Sequence, residues 1–329
     1  MSLREPRVSS LDGWRGLAIL MVLLGHFTAL HWLGKFGVEL FFVLSGRLMA
    51  SILLGQRQPL PTFAARRALR ILPALLTFVA LITASQLVAY GYSDKLGRSV
   101  AGSTLFFTNY LVGGDVLTVF QHTWSLAVEE HSYIVLAGLV VLAGRDAPRA
   151  SRWAFTLSVA LMGFAATRWL TDGDGFIYLR SEARAASILL SFAIALRASV
   201  AVQRLPRLAL EWAAPLTIGL SLAIVAIGSP PPVIFTVGTA LLAIGVNLVE
   251  HSHRTVTRVF SDPVLRWFGL VSFSVYLWQQ PFFEAWATGT SVFVALPLAL
   301  LFGVASYYCV EIPSRRLMRG SRRPGDVLN

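Results

Sequence analysis

The run Ile134-Val135-Leu136-Ala137-Gly138-Leu139-Val140-Val141-Leu142 contains no polar side chain, and its reading decides the fold. A lipid-facing β-strand alternates apolar and polar positions over about ten residues. This run does not alternate, and neither does the nearly continuous apolar stretch Ala74–Leu81. Helices are therefore expected. Working outward from it, apolar runs of around 20 residues recur from Leu17 to Val310, each long enough to cross about 30 Å of hydrocarbon as a helix.

Composition points the same way. Of 329 residues, 55% are hydrophobic and 14% charged, with a mean hydropathy of +0.65, a balance that excludes the ordinary soluble class. The net charge of +11 does not argue for nucleic acid, because the arginines fall in clusters between apolar runs and form no single basic face. Cys309 is the only cysteine, so neither an internal disulfide nor a thiolate zinc site can form. Chemistry must rest on His, Asp and Glu, and no metal is expected. Arg4 and Arg7 precede the first apolar run in the manner of a signal peptide, yet no small-residue cleavage site follows, which predicts an uncleaved first helix.

The predicted spans are about 14–33, 36–55, 68–90, 123–143, 152–171, 185–201, 210–228, 232–250, 266–286 and 291–312. The fold class is thus all-α: a polytopic integral membrane protein of about ten transmembrane helices with both termini cytoplasmic. That orientation puts about twenty of the 28 basic residues inside and leaves Lys35, Lys95, Arg98, Arg168, Arg180 and Arg184 outside. The one long connection, 91–122, is expected outside as a loop and admits a re-entrant dip. Residues 1–313 read as a single membrane domain and 314–329 as a short basic cytoplasmic tail.

Ionisable groups inside a membrane helix are costly unless they are paired or face a wet cavity. In the first span these are Asp12, Arg15 and His26. Eleven residues at about 100° each return to within about 20° of the start, so Arg15 and His26 share a face, about 16 Å apart along the axis. They can line one cavity without touching. That spacing suits a ligand with an anionic end at the cytoplasmic surface and a reactive end within the membrane, as in acyl-coenzyme A. Arg15 would bind its phosphates. His26 would act either as the base that takes a proton from an acceptor hydroxyl or as a transient acyl carrier. As a base, it would lose activity as pH falls through its pKa. The other reading has Arg15 snorkelling and His26 bonding to a neighbouring helix.

Glu39, in Gly37–Gly46, reads either as a carboxylate that orients His26 or as an interfacial charge balanced by Lys35. Ser45 and Gly46 read as a packing face, with no base near Ser45 in sequence. Arg67 and Arg70, one turn apart before the third span, read as a topology signal or as a second phosphate clamp. Two adjacent glutamates in Trp124–His131 point about 100° apart, and Glu129 is the one placed towards the shared cavity. The polar and aromatic run Ser272–Pro281 could line an acceptor site, and an interfacial aromatic belt explains Trp278 and Trp286 equally well.

Together, Leu11-Asp12-Gly13-Trp14-Arg15-Gly16 with His26, the run Gly37–Gly46, the Arg67/Arg70 pair, Trp124–Glu130 and Ser272–Pro281 resemble the acyltransferase-3 family of integral membrane O-acyltransferases. The motifs occur in the family's order across the chain. The resemblance implies that Arg15 and His26 are the functional pair, that Arg67 and Arg70 join Arg15 in binding the donor, and that Glu129 is the carboxylate of the fourth span. With Glu39 from the reading above, the expected catalytic set is His26, Glu39 and Glu129. It further implies acyl-coenzyme A, by default acetyl-coenzyme A, as donor substrate. The implied acceptor is a carbohydrate or glycolipid at or across the cytoplasmic (inner) membrane, a macrolide being another acceptor type in the family. Three positions depart from the pattern: Arg47 replaces an apolar residue, Gln279 a histidine, and His131-Ser132 a Gln-Phe. The hydrolase-like domain that some members append has no counterpart, so one membrane unit would complete the transfer or hand its product on. A transporter or flippase is the competing class, and its inverted repeats are not evident.

Overall fold

A computed structural model describes residues 9–111 and 114–320. In chain order the helices begin with α1 (Ser9–Phe27), α2 (His31–Ala50), α3 (Leu60–Tyr90), α4 (Asp94–Thr104), α5 (Thr108–Leu111) and α6 (Thr118–Gln121). There follow α7 (Trp124–Leu142), α8 (Ala147–Asp172), α9 (Asp174–Leu179), α10 (Ser181–Arg204), α11 (Arg207–Ala226), α12 (Pro231–Val233) and α13 (Thr239–Leu248). The last are α14 (Arg254–Val259), α15 (Pro263–Ala287), α16 (Val292–Ser306) and α17 (Ile312–Gly320). No strand occurs among the described residues.

Each of the ten expected spans falls largely on helix, although the first, 14–33, crosses the break at 28–30 between α1 and α2. Seven stretches among the described residues are long and apolar enough to cross a membrane: His31–Gly55, Leu60–Tyr90, Thr118–Leu142, Ala147–Asp172, Arg207–Ala226, Pro231–His251 and Val292–Arg316. The remaining three expected spans fall on α1, α10 and α15. These carry polar groups that lower their hydropathy: Asp12, Arg15 and His26; Arg184, Ser187 and Ser191; Ser272, Ser274, Gln279 and Gln280. Large apolar side chains stand outward, among them Val88 at 90% exposure and Phe293 at 88%. A soluble protein would not expose such surface, and lipid would cover it without cost. The protein is a multi-pass membrane protein.

Segment 91–122, expected as a long outside loop, is not irregular. Most of it is helix, in α4, α5 and α6. Ser93 caps α4 by accepting from the Leu96 amide, and the Thr123 hydroxyl donates to Thr108 at 2.9 Å. Hydroxyls thus satisfy backbone and one another where apolar periodicity is weak.

The chain falls into two compact units, each assembled from separated stretches: 1–57 with 125–272, and 58–124 with 273–329. In the first unit, α10 packs between α8 and α2 through small residues. Ser151 and Ser158 of α8 donate to the carbonyls of Ala193 and Ala186, and Ser191 donates to the Val43 carbonyl. Small side chains that let backbones approach, with hydroxyls bonding across, replace the hydrophobic drive that lipid removes. In the second unit, Phe78 of α3 meets Phe120, His122 and Trp278 edge-on at 5.3–5.9 Å. Buried Glu311 accepts from Ser274 at 2.7 Å and from Arg315. The expected basic tail enters α17, and residues 321–329 lie outside the described residues, as do Arg4 and Arg7.

Candidate functional site

The first unit holds Arg15, His26, Glu39 and Glu129. Helix α1 is unbroken from Ser9 to Phe27, so Arg15 and His26 keep the shared face and the separation of about 16 Å that the helical rise dictates. Close backbone crossings fix both ends of this helix. A Cβ on Gly13 would overlap the Phe260 carbonyl, and one on Gly16 the Leu265 carbonyl, while Trp14 stacks on Phe260 with centroids 3.7 Å apart. These crossings place Arg15 beside α15, where its Nη2 donates to Ser272 Oγ at 3.3 Å. Its guanidinium also stands 5.8 Å from the centroid of the Phe41 ring.

At the other end, Gly25 and Gly34 bring α1 and α2 together, and a Cβ on Gly25 would overlap the Gly34 amide nitrogen. The half-buried His26 ring lies against Gly34, 3.8 Å from where a Cβ would stand. His31 Nδ1 donates to the Gly25 carbonyl at 3.0 Å and satisfies one of the carbonyls that a helix C-terminus leaves open.

The two glutamates differ in their partners. Glu39 is buried, and its oxygens accept from Arg184 Nη2 and from the Thr239 hydroxyl. It is thus engaged away from α1, whereas the sequence offered it to His26 or Lys35. Arg184, expected among the outside loop charges, is instead 1% exposed, with its guanidinium 3.9 Å from the Phe235 centroid and 5.2 Å from that of Phe42. Nearby, in α9, burial pushes the Tyr178 phenol above its ordinary range, against the pull of the Arg184 cation, so it stays neutral.

Glu129 is half-buried on α7 and accepts from the Ser45 hydroxyl of α2. A carboxylate therefore does stand at Ser45, which the sequence did not foretell because 84 residues separate the two. Arg47, which the sequence offered to the arginine site or to snorkelling, pairs with Glu250 at 2.6 Å and donates to the Val246 carbonyl. His131 Nδ1 and Ser181 Oγ are 2.7 Å apart. Arg67 and Arg70 belong to the second unit, half-buried one turn apart on α3. In that unit the Tyr276 phenol donates to the His122 carbonyl at 2.9 Å, and Gln280 Nε2 donates to the Thr118 carbonyl at 3.2 Å. The run Ser272–Pro281 thereby divides: Ser272 serves Arg15 in the first unit, and the rest lies in the second.

Sequence reading missed Thr239 altogether, the inward turn of Arg184, and the partners of Ser45 and Ser272. Arg184 carried one usable signal, a charge just inside a long helix with no acidic residue three or four positions away.

Comparison with known proteins identifies the family of the chain. The family model described as "Acyltransferase domain" matches residues 8–312. The chain is 30% identical to the "Putative membrane-bound transacylase BcsY" of Komagataeibacter xylinus, over 93% of this chain and 83% of that protein. It is 27% identical to the peptidoglycan O-acetyltransferase OatA of Listeria monocytogenes, over 83% of this chain and 49% of OatA. A "Putative O-acetyltransferase" of Staphylococcus aureus strain COL is 24% identical over 94% of this chain and 57% of its own length. The chain thus spans about half the length of OatA and the staphylococcal relative. No solved structure matches it significantly. The chain belongs to the acyltransferase-3 family, its motifs spread over both compact units.

Proposed function

We propose that this protein is a membrane O-acyltransferase that moves an acyl group, acetyl by default, from cytoplasmic acyl-coenzyme A to a hydroxyl of a carbohydrate or glycolipid acceptor. In this reading the chain crosses the cytoplasmic membrane ten times with both termini inside, so that α1, α10 and α15 span as well. The observation that carries the reading is the pair Arg15 and His26, on one face of an unbroken helix and each held by a neighbouring helix. Arg15, with Arg67 and Arg70, holds the donor's phosphates through charge-assisted hydrogen bonds. The thioester then lies deeper, towards His26.

His26 takes the proton of the acceptor hydroxyl as that oxygen attacks the thioester carbonyl. The tetrahedral intermediate collapses with cleavage of the carbon–sulfur bond, and the proton returns to the departing thiolate. If His26 instead carries the acyl group, its neutral nitrogen attacks first and the leaving thiolate takes the ring proton of the acylimidazolium; the acceptor hydroxyl then attacks the acyl carbon and passes its proton to the imidazole it displaces. Glu129 supplies a carboxylate beside Ser45, and Glu39 holds α2 in place through Arg184. The names of OatA and BcsY support acyl transfer at a membrane, and OatA supports a polysaccharide acceptor.

The test uses the full chain in lipid nanodiscs with radiolabelled acetyl-coenzyme A and an envelope glycan extract. His26→Ala is expected to lower transfer about 10²–10⁴-fold. Transfer that survives this change at the wild-type rate would sink the proposal. Mass spectrometry of the chain incubated without acceptor separates base from carrier, since only a carrier leaves an acylated histidine.

A further inference from the structure

The first unit contains a cavity of about 230 Å³ that the mechanism above does not use. Its walls come from α2 (Lys35, Phe36, Glu39), α9 (Asp174, Tyr178) and the turn after α12 (Phe235), with Ser221 and Val225 of α11 behind them. Lys35 directly follows Gly34, against which the His26 ring lies, so the cavity stands at the His26 end of the α1/α2 pair.

The chemistry of the walls selects the ligand. Glu39 is already neutralised by Arg184 and bonded by Thr239, and the Ser221 hydroxyl is committed to the Gly238 carbonyl. Two charged groups remain at the cavity. The Lys35 ammonium stands 5.6 Å from the Tyr178 centroid. Asp174 accepts from the Trp169 indole through Oδ1 at 2.7 Å, which leaves Oδ2 to accept another donor. These charges cancel, so neither an anion nor a cation is favoured. An alkyl chain would desolvate both without giving either a partner. A neutral ring with apolar C–H faces and a rim of hydroxyls satisfies all the walls at once. Its faces stack on aromatic side chains, and its hydroxyls donate to Asp174 and accept from Lys35. A single six-membered ring fits the volume.

We infer that this cavity is a sugar-ring subsite, which holds one unit of a carbohydrate acceptor beside the unit that reacts at His26. The inference rests on the acyltransferase reading for its purpose, although binding can be measured without turnover. The full chain in nanodiscs is probed by saturation-transfer NMR with cellobiose, maltose and diacetylchitobiose, each against the wild type and the doubly substituted Lys35→Gln, Asp174→Asn chain. Both positions are exposed, so the fold should tolerate the changes. At least one disaccharide is expected to give a signal that the double variant loses. In turnover the variant is expected to raise the acceptor KM about tenfold or more, with kcat and donor hydrolysis unchanged, as the loss of hydrogen bonds to charged groups implies. The inference is overturned if no disaccharide binds the wild type or if the variant binds equally well. Displacement of the signal by decyl chains, with no effect of either substitution, would also overturn it and mark a hydrocarbon pocket. A chain that binds sugar but transfers nothing would support the subsite and refute the acyltransferase reading.

Discussion

Helix α2 meets a glutamate at each of two levels, and the two sites differ in what faces the carboxylate. At Glu39 it is a buried guanidinium and a threonine hydroxyl. At Ser45 the helix offers a hydroxyl to Glu129. The Glu39 carboxylate is thus tied to a buried cation, whereas Glu129 meets a neutral hydroxyl. Of two residues of the same type on or beside one helix, the first holds helices together and the second is the one proposed to react. Only the partner distinguishes them.

The largest effect that could break this contrast is expected at the clamp. Arg184→Met leaves the Glu39 charge buried and should cost about 3–5 kcal/mol, read as a fall in unfolding temperature in detergent. Adding Glu39→Leu should recover most of that loss, because an apolar pair of similar volume needs no desolvation of charge. If the double variant is as unstable as Arg184→Met alone, the clamp role is wrong. Next comes activity. Glu129→Gln keeps an acceptor for Ser45 but removes the charge, and should lower kcat about 10²-fold with little change in stability. Equal kcat for Glu129→Gln and wild type would erase the distinction between the glutamates. The smallest effect is expected at another ion pair of α2, Arg47 with Glu250, whose acidic member is 38% exposed. Arg47→Met should cost about 1 kcal/mol or less after solvent screening and leave the KM for acetyl-coenzyme A unchanged. A large rise in that KM would return Arg47 to the donor site.

Much of the architecture was legible because lipid imposes a simple rule. Backbone groups in hydrocarbon must be satisfied within the segment, so a long unbroken apolar run can only be helix, and the ten expected runs are helical apart from the break at 28–30 inside the first. The positions of Arg15 and His26 on one face followed from the helical repeat alone. The segment 91–122 was read as a loop because its helices are short, 11, 4 and 4 residues, and so leave a weak apolar period. The placement of Arg184 was misread for a different reason. An arginine near the end of a membrane helix looks the same in sequence whether it reaches towards water or turns inward to a carboxylate 145 residues away.

The sequence by itself therefore determined the helices, the family and the spacing of Arg15 and His26, since each depends on local composition or helical geometry. The tertiary structure decided which charged groups meet. It paired Arg184 with Glu39, Ser45 with Glu129 and Arg15 with Ser272, and it left Lys35 and Asp174 at an open cavity. Pairing is a property of distance in space, and a membrane protein fixes that distance through glycine and serine crossings whose partners lie far along the chain.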